Sequence, residues 1–196
     1  MIRKLLTGIA LALASGIISP AHSQEVALKT NTIADGLLNV NAGIEVGLAP
    51  RWTFDLTGEF NGWKLSHGRR WKHWYAMPEA RYWFCEKFGG HFLAVHAMGG
   101  QYNIGGFDGH WNLLGTDARK LRDNRYQGWY AGAGIGYGYA WMLSRHINLE
   151  AEIGIGYAYT RYSSYPCAEC GTKIDNNKPH NYFGPTKAAL NFVYVF

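Results

Sequence analysis

Between Gly128 and Trp141 the chain reads GWYAGAGIGYGYAW, which places Trp129, Ala131, Ala133, Ile135, Tyr137, Tyr139 and Trp141 at odd positions and mostly glycine at even ones. A repeat of two is the signature of a β-strand, whose successive side chains point to opposite faces. The same alternation recurs along the chain. Val26–Ala34 carries Val26, Leu28 and Ala34 against Lys29 and Asn31, and Leu38–Leu48 carries Val40, Ile44 and Val46 against Asn39, Asn41 and Glu45. Trp52–Phe60 sets Trp52, Phe54, Leu56 and Phe60 against Thr53, Asp55, Thr57 and Glu59. Trp74–Phe84 sets Trp74, Ala76, Pro78, Ala80, Tyr82 and Phe84 against Tyr75, Met77, Glu79, Arg81 and Trp83. His91–Tyr102 forms a further strand without a clear phase. Ile147–Arg161 puts Leu149, Ile153, Ile155, Tyr157 and Tyr159 opposite Glu150 and Glu152, and the chain ends with Ala188, Leu190, Phe192, Tyr194 and Phe196 opposite Lys187 and Asn191.

With the opening stretch these make eight strands, and the connections fall in a telling order. Those at Asp35-Gly36, Ala49–Arg51, Cys85–Gly90 and Met142–His146 are short, and those at Asn61–Lys72, Asn103–Arg125 and Tyr162–Pro185 are long. If both termini lie on one side, every connection on that side is short and all three long ones lie on the other. The pattern predicts an all-β fold, an eight-stranded antiparallel up-and-down transmembrane β-barrel with short periplasmic turns and three long extracellular loops. Aromatic girdles are expected at both edges of the apolar band. On this threading Trp52, Phe84, Trp141 and Phe196 form the periplasmic girdle, and Phe60, Trp74, Trp129 and Tyr159 the outer one. Gly132, Gly134, Gly136 and Gly138 then face a narrow interior, where they leave room for large side chains from other strands. No helical pattern follows the glycines, so a phosphate-cradling loop is set aside.

Composition places this barrel in a cell envelope. Residues 1–23 have the build of a secretory signal peptide: Arg3 and Lys4, an apolar run from Leu5 to about Ile18, then Ala21-His22-Ser23 before a cleavage point. No lipobox cysteine follows, and residues 24–196 make one domain with no run of about twenty apolar residues. Nineteen Lys and Arg against 14 Asp and Glu is a mild excess, and a secreted chain has little access to nucleic acid, so no nucleic-acid partner is expected.

Candidate chemistry sits inside the barrel and in the last loop. Glu45, Asp55, Glu59, Glu79, Glu150 and Glu152 face inward with Lys29, Arg81 and Lys187, and charges so confined must be paired or hydrated. Arg81 is expected at the centre of an interior polar network of Glu79, Glu150, Glu152, Asp55 and Lys187, because its five donors can serve two carboxylates. Cys167 and Cys170 form a C-x-x-C in the final long loop, with Cys85 in a turn at the opposite end. A disulfide is the default in an oxidising compartment; a zinc site completed by His180, His110 or His67, or free thiols, are the alternatives. His73, His91, His96 and His146 read as packing or loop residues. Ser66-His67 and Ser163-Ser164 are explained by loop composition, so no catalytic residue and no cofactor is assigned. Trp63, Trp71, Phe107, Trp111, Tyr165 and Tyr182 among Lys and Arg give the long loops a mixture suited to glycans, proteins or lipopolysaccharide phosphates.

The segments VALKTNTIADG, MPEARYWFCEKFGGHF, GWYAGAGIGYGYAW, INLEAEIGIGYAY, PCAECG and NYFGPTKAALNFVYVF together resemble an outer-membrane barrel family of Bacteroides-type, Gram-negative bacteria, catalogued as a domain of unknown function. PEARYWF and YFGPTKA are its most specific parts. The resemblance implies location and fold, with no catalytic residues to carry over; some relatives are thought to sit beside fimbrial assembly genes. Phe196, with Tyr194 and Phe192 in phase, resembles the C-terminal signal read by the barrel-insertion machinery. The expectation is an integral outer-membrane protein with a structural or surface-binding role, in contact with outer-membrane lipid and lipopolysaccharide, its outer loops recognising a glycan or protein. A lipid-modifying enzyme, or a soluble lipocalin-like binder, is the alternative.

Overall fold

The computed structural model describes residues 26–63, 70–106, 112–113, 116–117, 124–166 and 172–196. The strands are β1 (Val26–Asn31), β2 (Val40–Ala49), β3 (Trp52–Asn61), β4 (Arg70–Trp83), β5 (Gly90–Gly105), β8 (Arg125–Met142), β9 (Ile147–Tyr165) and β10 (Asp175–Val195), with a helical turn α1 (Thr32–Gly36) after β1. They pair in the order β1-β10-β9-β8-β5-β4-β3-β2, every pair antiparallel, and close into a barrel. Between β5 and β8 lies a separate two-stranded ladder, β6 (Asn112–Leu113) and β7 (Thr116–Asp117). The all-β, eight-stranded up-and-down reading therefore holds, and residues 1–25, including the expected signal peptide, lie outside the described residues. No helix among the described residues is long and apolar enough to cross a membrane, which says nothing of strands.

Side-chain phase follows the alternation. On β8 the odd residues Trp129, Ile135, Tyr137 and Trp141 are exposed while Gly136, Gly138 and Ala140 are buried. The inward glycines are sites of close approach. A β-carbon on Gly138 would lie 2.3 Å from the Phe92 ring, one on Gly134 2.6 Å from His96 Nε2, and one on Gly136 2.7 Å from Glu152 Oε1. Side chains of β5 and β9 thus occupy the space that β8 leaves empty. The phase that the sequence left open on β5 is settled with Phe92, Ala94, His96 and Met98 inward.

Two expectations are corrected. Ala34 does not end the first strand; it is buried in α1, where the Asn31 side chain caps the turn by accepting from Ile33 N at 3.1 Å. Beyond Asn31 the ladder to β10 is continued by side chains: Leu190 N donates to Asn31 Oδ1 at 3.2 Å and Thr32 Oγ1 to the Leu190 carbonyl at 2.8 Å. The long connections are also shorter than the alternation implied, because β4, β5, β8, β9 and β10 run on past the apolar band, with Asp175 still opposite Ser164. Trp71, Tyr165 and Tyr182, expected in loops, accordingly lie on strands. In addition, β10 contains a bulge between Pro185 and Lys187, so Thr186 and Lys187 both line the interior.

The end at which β1 begins and β10 finishes is stoppered from within. The β4–β5 turn folds inward and inserts Phe88, held at φ 66, against Ala27, Val193 and Val195. Asn148 Nδ2 fixes that turn by donating to the Phe88 carbonyl at 2.7 Å. Above it lies a cluster of Trp83, Phe92, Ala94 and Ala140, with the Trp83 and Phe92 rings 4.6 Å apart.

Candidate functional site

The middle of the lumen is built on one guanidinium. Alternation on β4 points Glu79, Arg81 and Trp83 inward together, and the register brings β2, β3 and β9 carboxylates to the same depth: Asp55 pairs with Glu45 on one side and with Glu79 on the other. Arg81 Nε donates to Glu79 Oε1 at 2.6 Å, one terminal nitrogen to Glu45 at 3.0 Å and Glu150 at 2.8 Å, and the other to Glu152 at 2.7 Å. The same fork lies 3.6 Å from Asp55 and its carbon 4.5 Å from the centre of the Phe92 ring.

Two lysines complete the layer. Lys29, from β1, pairs with Glu45 and with Asp55 at 2.7 Å. Lys187, placed inward just past the β10 bulge, reaches Glu79 at 2.7 Å and Glu152 at 2.8 Å. Neutral groups satisfy further oxygens: Asn191 Nδ2 donates to Glu150 Oε1 at 2.7 Å, and Thr53 to Glu45. Trp83 Nε1 donates to Thr53 Oγ1 at 2.9 Å, which couples the apolar stopper to the charged layer. Removing one partner from such a set leaves a bare buried charge, a loss of about 3–5 kcal/mol. The layer therefore fixes the lumen rather than opening it.

A second polar layer lies toward the opposite end. Glu59 accepts from Asn39 Nδ2 at 2.7 Å and Tyr75 OH at 3.0 Å and contacts His73 Nε2 at 2.8 Å, while Asn61 Nδ2 donates to Asn39 Oδ1 at 2.6 Å. Between the layers is a cavity of about 120 Å³ walled by Thr57, Tyr75, Met77, Met98, Tyr130 and Lys187. At the level of the second layer and beyond it lies a larger one, about 630 Å³, bounded by residues of both wall faces, among them Asn61, His73 and Tyr162 of the inner face and Lys72, Trp129 and Arg161 of the outer.

All six expected network residues, Glu79, Arg81, Glu150, Glu152, Asp55 and Lys187, meet in one buried layer, together with Lys29 and Glu45. Glu59 belongs instead to the second layer. Asn39, Asn191 and His73 were not singled out as network members, although alternation alone puts Asn39 and Asn191 on the inner face. His96 is a packing residue, with Nε2 2.9 Å from Thr186 Oγ1 and Nδ1 3.6 Å from Glu79. Cys85 is an exposed free thiol. Cys167 and Cys170 lie outside the described residues, as do Ser66, His67, Phe107, His110 and Trp111.

Outward, the expected girdle residues point away from the lumen at two levels. Near the termini Trp52, Phe84, Trp141 and Phe196 are exposed, and Phe192, Tyr194 and Phe196 line one face, the Tyr194 and Phe196 rings 5.0 Å apart. At the opposite level Phe60 pairs with Trp74 across β3 and β4, and the Trp129 and Tyr159 rings stand 5.9 Å apart.

A family model with the description "Protein of unknown function (DUF3575)" matches residues 8–196. No curated protein matches the chain.

Proposed function

The chain belongs to the DUF3575 family, and proceeding from that membership and the geometry above we propose that it is an integral outer-membrane β-barrel with a structural or surface-binding role. The reading is carried by one observation: the two faces of the wall are inverted relative to a protein dissolved in water. Val95, Ile135 and Ile153 are more than 60% exposed, while Glu45, Glu79, Arg81, Glu150 and Glu152 are at most 2% exposed. Leaving a large aliphatic side chain in water forgoes about 1.5–3 kcal/mol each, and the exposed set continues around the ring through Leu28, Ile44, Leu56 and Ile155. A bilayer removes that cost, and the two rims of aromatic residues suit its two interfaces.

In this reading the end bearing the termini faces the periplasm, and the long connections at the other end face outward, where they meet lipopolysaccharide and a glycan or protein ligand. Passage through the lumen is not part of the role, because the Phe88 stopper and the Arg81 layer fill it. Phe192, Tyr194 and Phe196 then serve the insertion machinery.

The test is fractionation of the native protein, with gel mobility of unboiled against boiled samples in detergent. Ile135→Arg and Ile153→Arg place a charge at mid-wall on the lipid side, and each is expected to destabilise the inserted barrel by about 2–4 kcal/mol. Recovery of the wild type as a soluble monomer without detergent, or unchanged insertion of both variants, overturns the proposal.

A further inference from the structure

Just beyond the outer girdle, one sector of the barrel wall turns cationic. On β9 Arg161 lies two residues past Tyr159; on β4 Lys72 lies two before Trp74; on β8 Arg125 lies four before Trp129. Two residues of a strand tilted about 40° rise about 5 Å along the barrel axis, into the headgroup region that borders an aromatic belt. These cations share the outer face: the inner face of the same stretches is accounted for by His73, Tyr102, Tyr126, Tyr162 and their contacts.

The sector is continuous in the sheet. Lys72 is paired with Asn103, which is paired with Gln127, which is paired with Ser163; one row below, Trp74, Gln101, Trp129 and Arg161 are paired in the same way. No outward position of residues 70–74, 101–105, 125–129 or 161–165 is Asp or Glu. Two guanidiniums are held against the wall: Arg161 Nε donates to Tyr159 OH at 2.8 Å, and Arg125 lies over the Tyr165 ring at 4.1 Å. Such bracing lowers the entropy lost on engaging an anion. The contrast with the lumen is sharp, since every inward cation of the central layer is paired with carboxylates of this chain.

We propose that this outward arc on β4, β5, β8 and β9 is a docking surface for the phosphate groups of anionic outer-leaflet lipid, with Lys72 and Arg161 as its principal contacts. The proposal rests on the outer-membrane reading and specifies which lipid chemistry that surface takes. Charge complementarity selects an anion, and the aromatic residues that share the row of Arg161 or lie just below it, Trp74, Trp129 and Tyr159, select one attached to a hydrocarbon layer rather than free in solution.

The experiment uses the full chain purified in detergent, titrated with micelles doped with phosphatidylglycerol, with phosphatidylcholine, or with inorganic phosphate alone. Phosphatidylglycerol is expected to bind, less tightly as salt rises, and Lys72→Gln with Arg161→Gln is expected to weaken it about fivefold for each charge removed. Lys72→Arg with Arg161→Lys keeps the charge and is expected to keep the binding. Because both positions lie on the outward side of the wall, away from the buried layers, the boiled-against-unboiled gel shift is expected to remain wild-type, which separates lost binding from lost fold. An inserted barrel whose Gln variants bind phosphatidylglycerol as the wild type does, or that takes phosphatidylcholine or inorganic phosphate equally well, overturns this inference alone. A chain that partitions to the soluble fraction overturns the outer-membrane reading with it.

Discussion

Two residues apart on β4, Arg81 and Trp83 are both fully buried, and they are held by opposite physics. Trp83 sits in a layer of rings and methyl groups, where its only polar atom is met by Thr53 and the rest is dispersion and water exclusion. Arg81 sits among five carboxylates, and its burial is tolerable only because it donates to four of them, Glu79, Glu45, Glu150 and Glu152, with Asp55 3.6 Å from the fork. A narrow barrel can thus be closed by either material. The apolar layer tolerates imperfect contacts a little at a time; the charged layer depends on every partner.

The largest effect is expected from Arg81→Met. It keeps much of the volume but strips the shared donor from Glu45, Glu79, Glu150 and Glu152, and it is expected to cost at least about 3–5 kcal/mol. Urea unfolding in detergent or lipid, followed by tryptophan fluorescence, measures it. Arg81→Lys sharpens the result, because a single ammonium keeps the charge and loses the fork; a loss nearly as large assigns the effect to geometry rather than to charge count.

Next is Phe88→Ala, which empties the stopper. Truncating a buried aromatic is expected to cost about 3 kcal/mol, and the same unfolding measurement reads it. The charged layer is predicted to survive, so the barrel should still resist unfolding in detergent before boiling, unlike the Arg81→Met protein.

Gly138→Ala tests the fit between the layers and the wall. The added methyl meets the Phe92 ring, itself packed at a tilt against Trp83, so about 2 kcal/mol of overpacking is expected. Pairing it with Phe92→Leu should recover part of the loss in a double-mutant cycle; strict additivity would show that the two do not compete for one space.

The smallest effect is expected at the joint between the materials. Thr53→Val removes the hydroxyl that accepts from Trp83 and donates to Glu45, and about 1 kcal/mol should follow from the two lost hydrogen bonds. Near-neutral behaviour would mean that the two layers are energetically independent.

Much of this molecule is written in residues that are neighbours in sequence. Alternation is a local property of the strand, so the eight strands, their inner and outer faces, and the inward placing of Glu79, Arg81, Glu150, Glu152, Asp55 and Lys187 were legible without the fold. So was the emptiness opposite β8: a run of glycines at even positions states that something else fills the space. What the run could not state is that Phe92, His96 and Met98 of β5 fill it, because the phase of β5 is weak and its partner lies more than thirty residues away in the chain. Where β9 and β10 leave the apolar band, both faces become polar and the alternation fades, yet the backbone ladder continues on hydrogen bonds that carry no side-chain signature. The Thr186 bulge, the end of β1 at Asn31 and the inward fold of Phe88 have the same character. Each is decided by ring closure and by the shape of the gap left at the termini, which are properties of all eight strands together and of no single stretch.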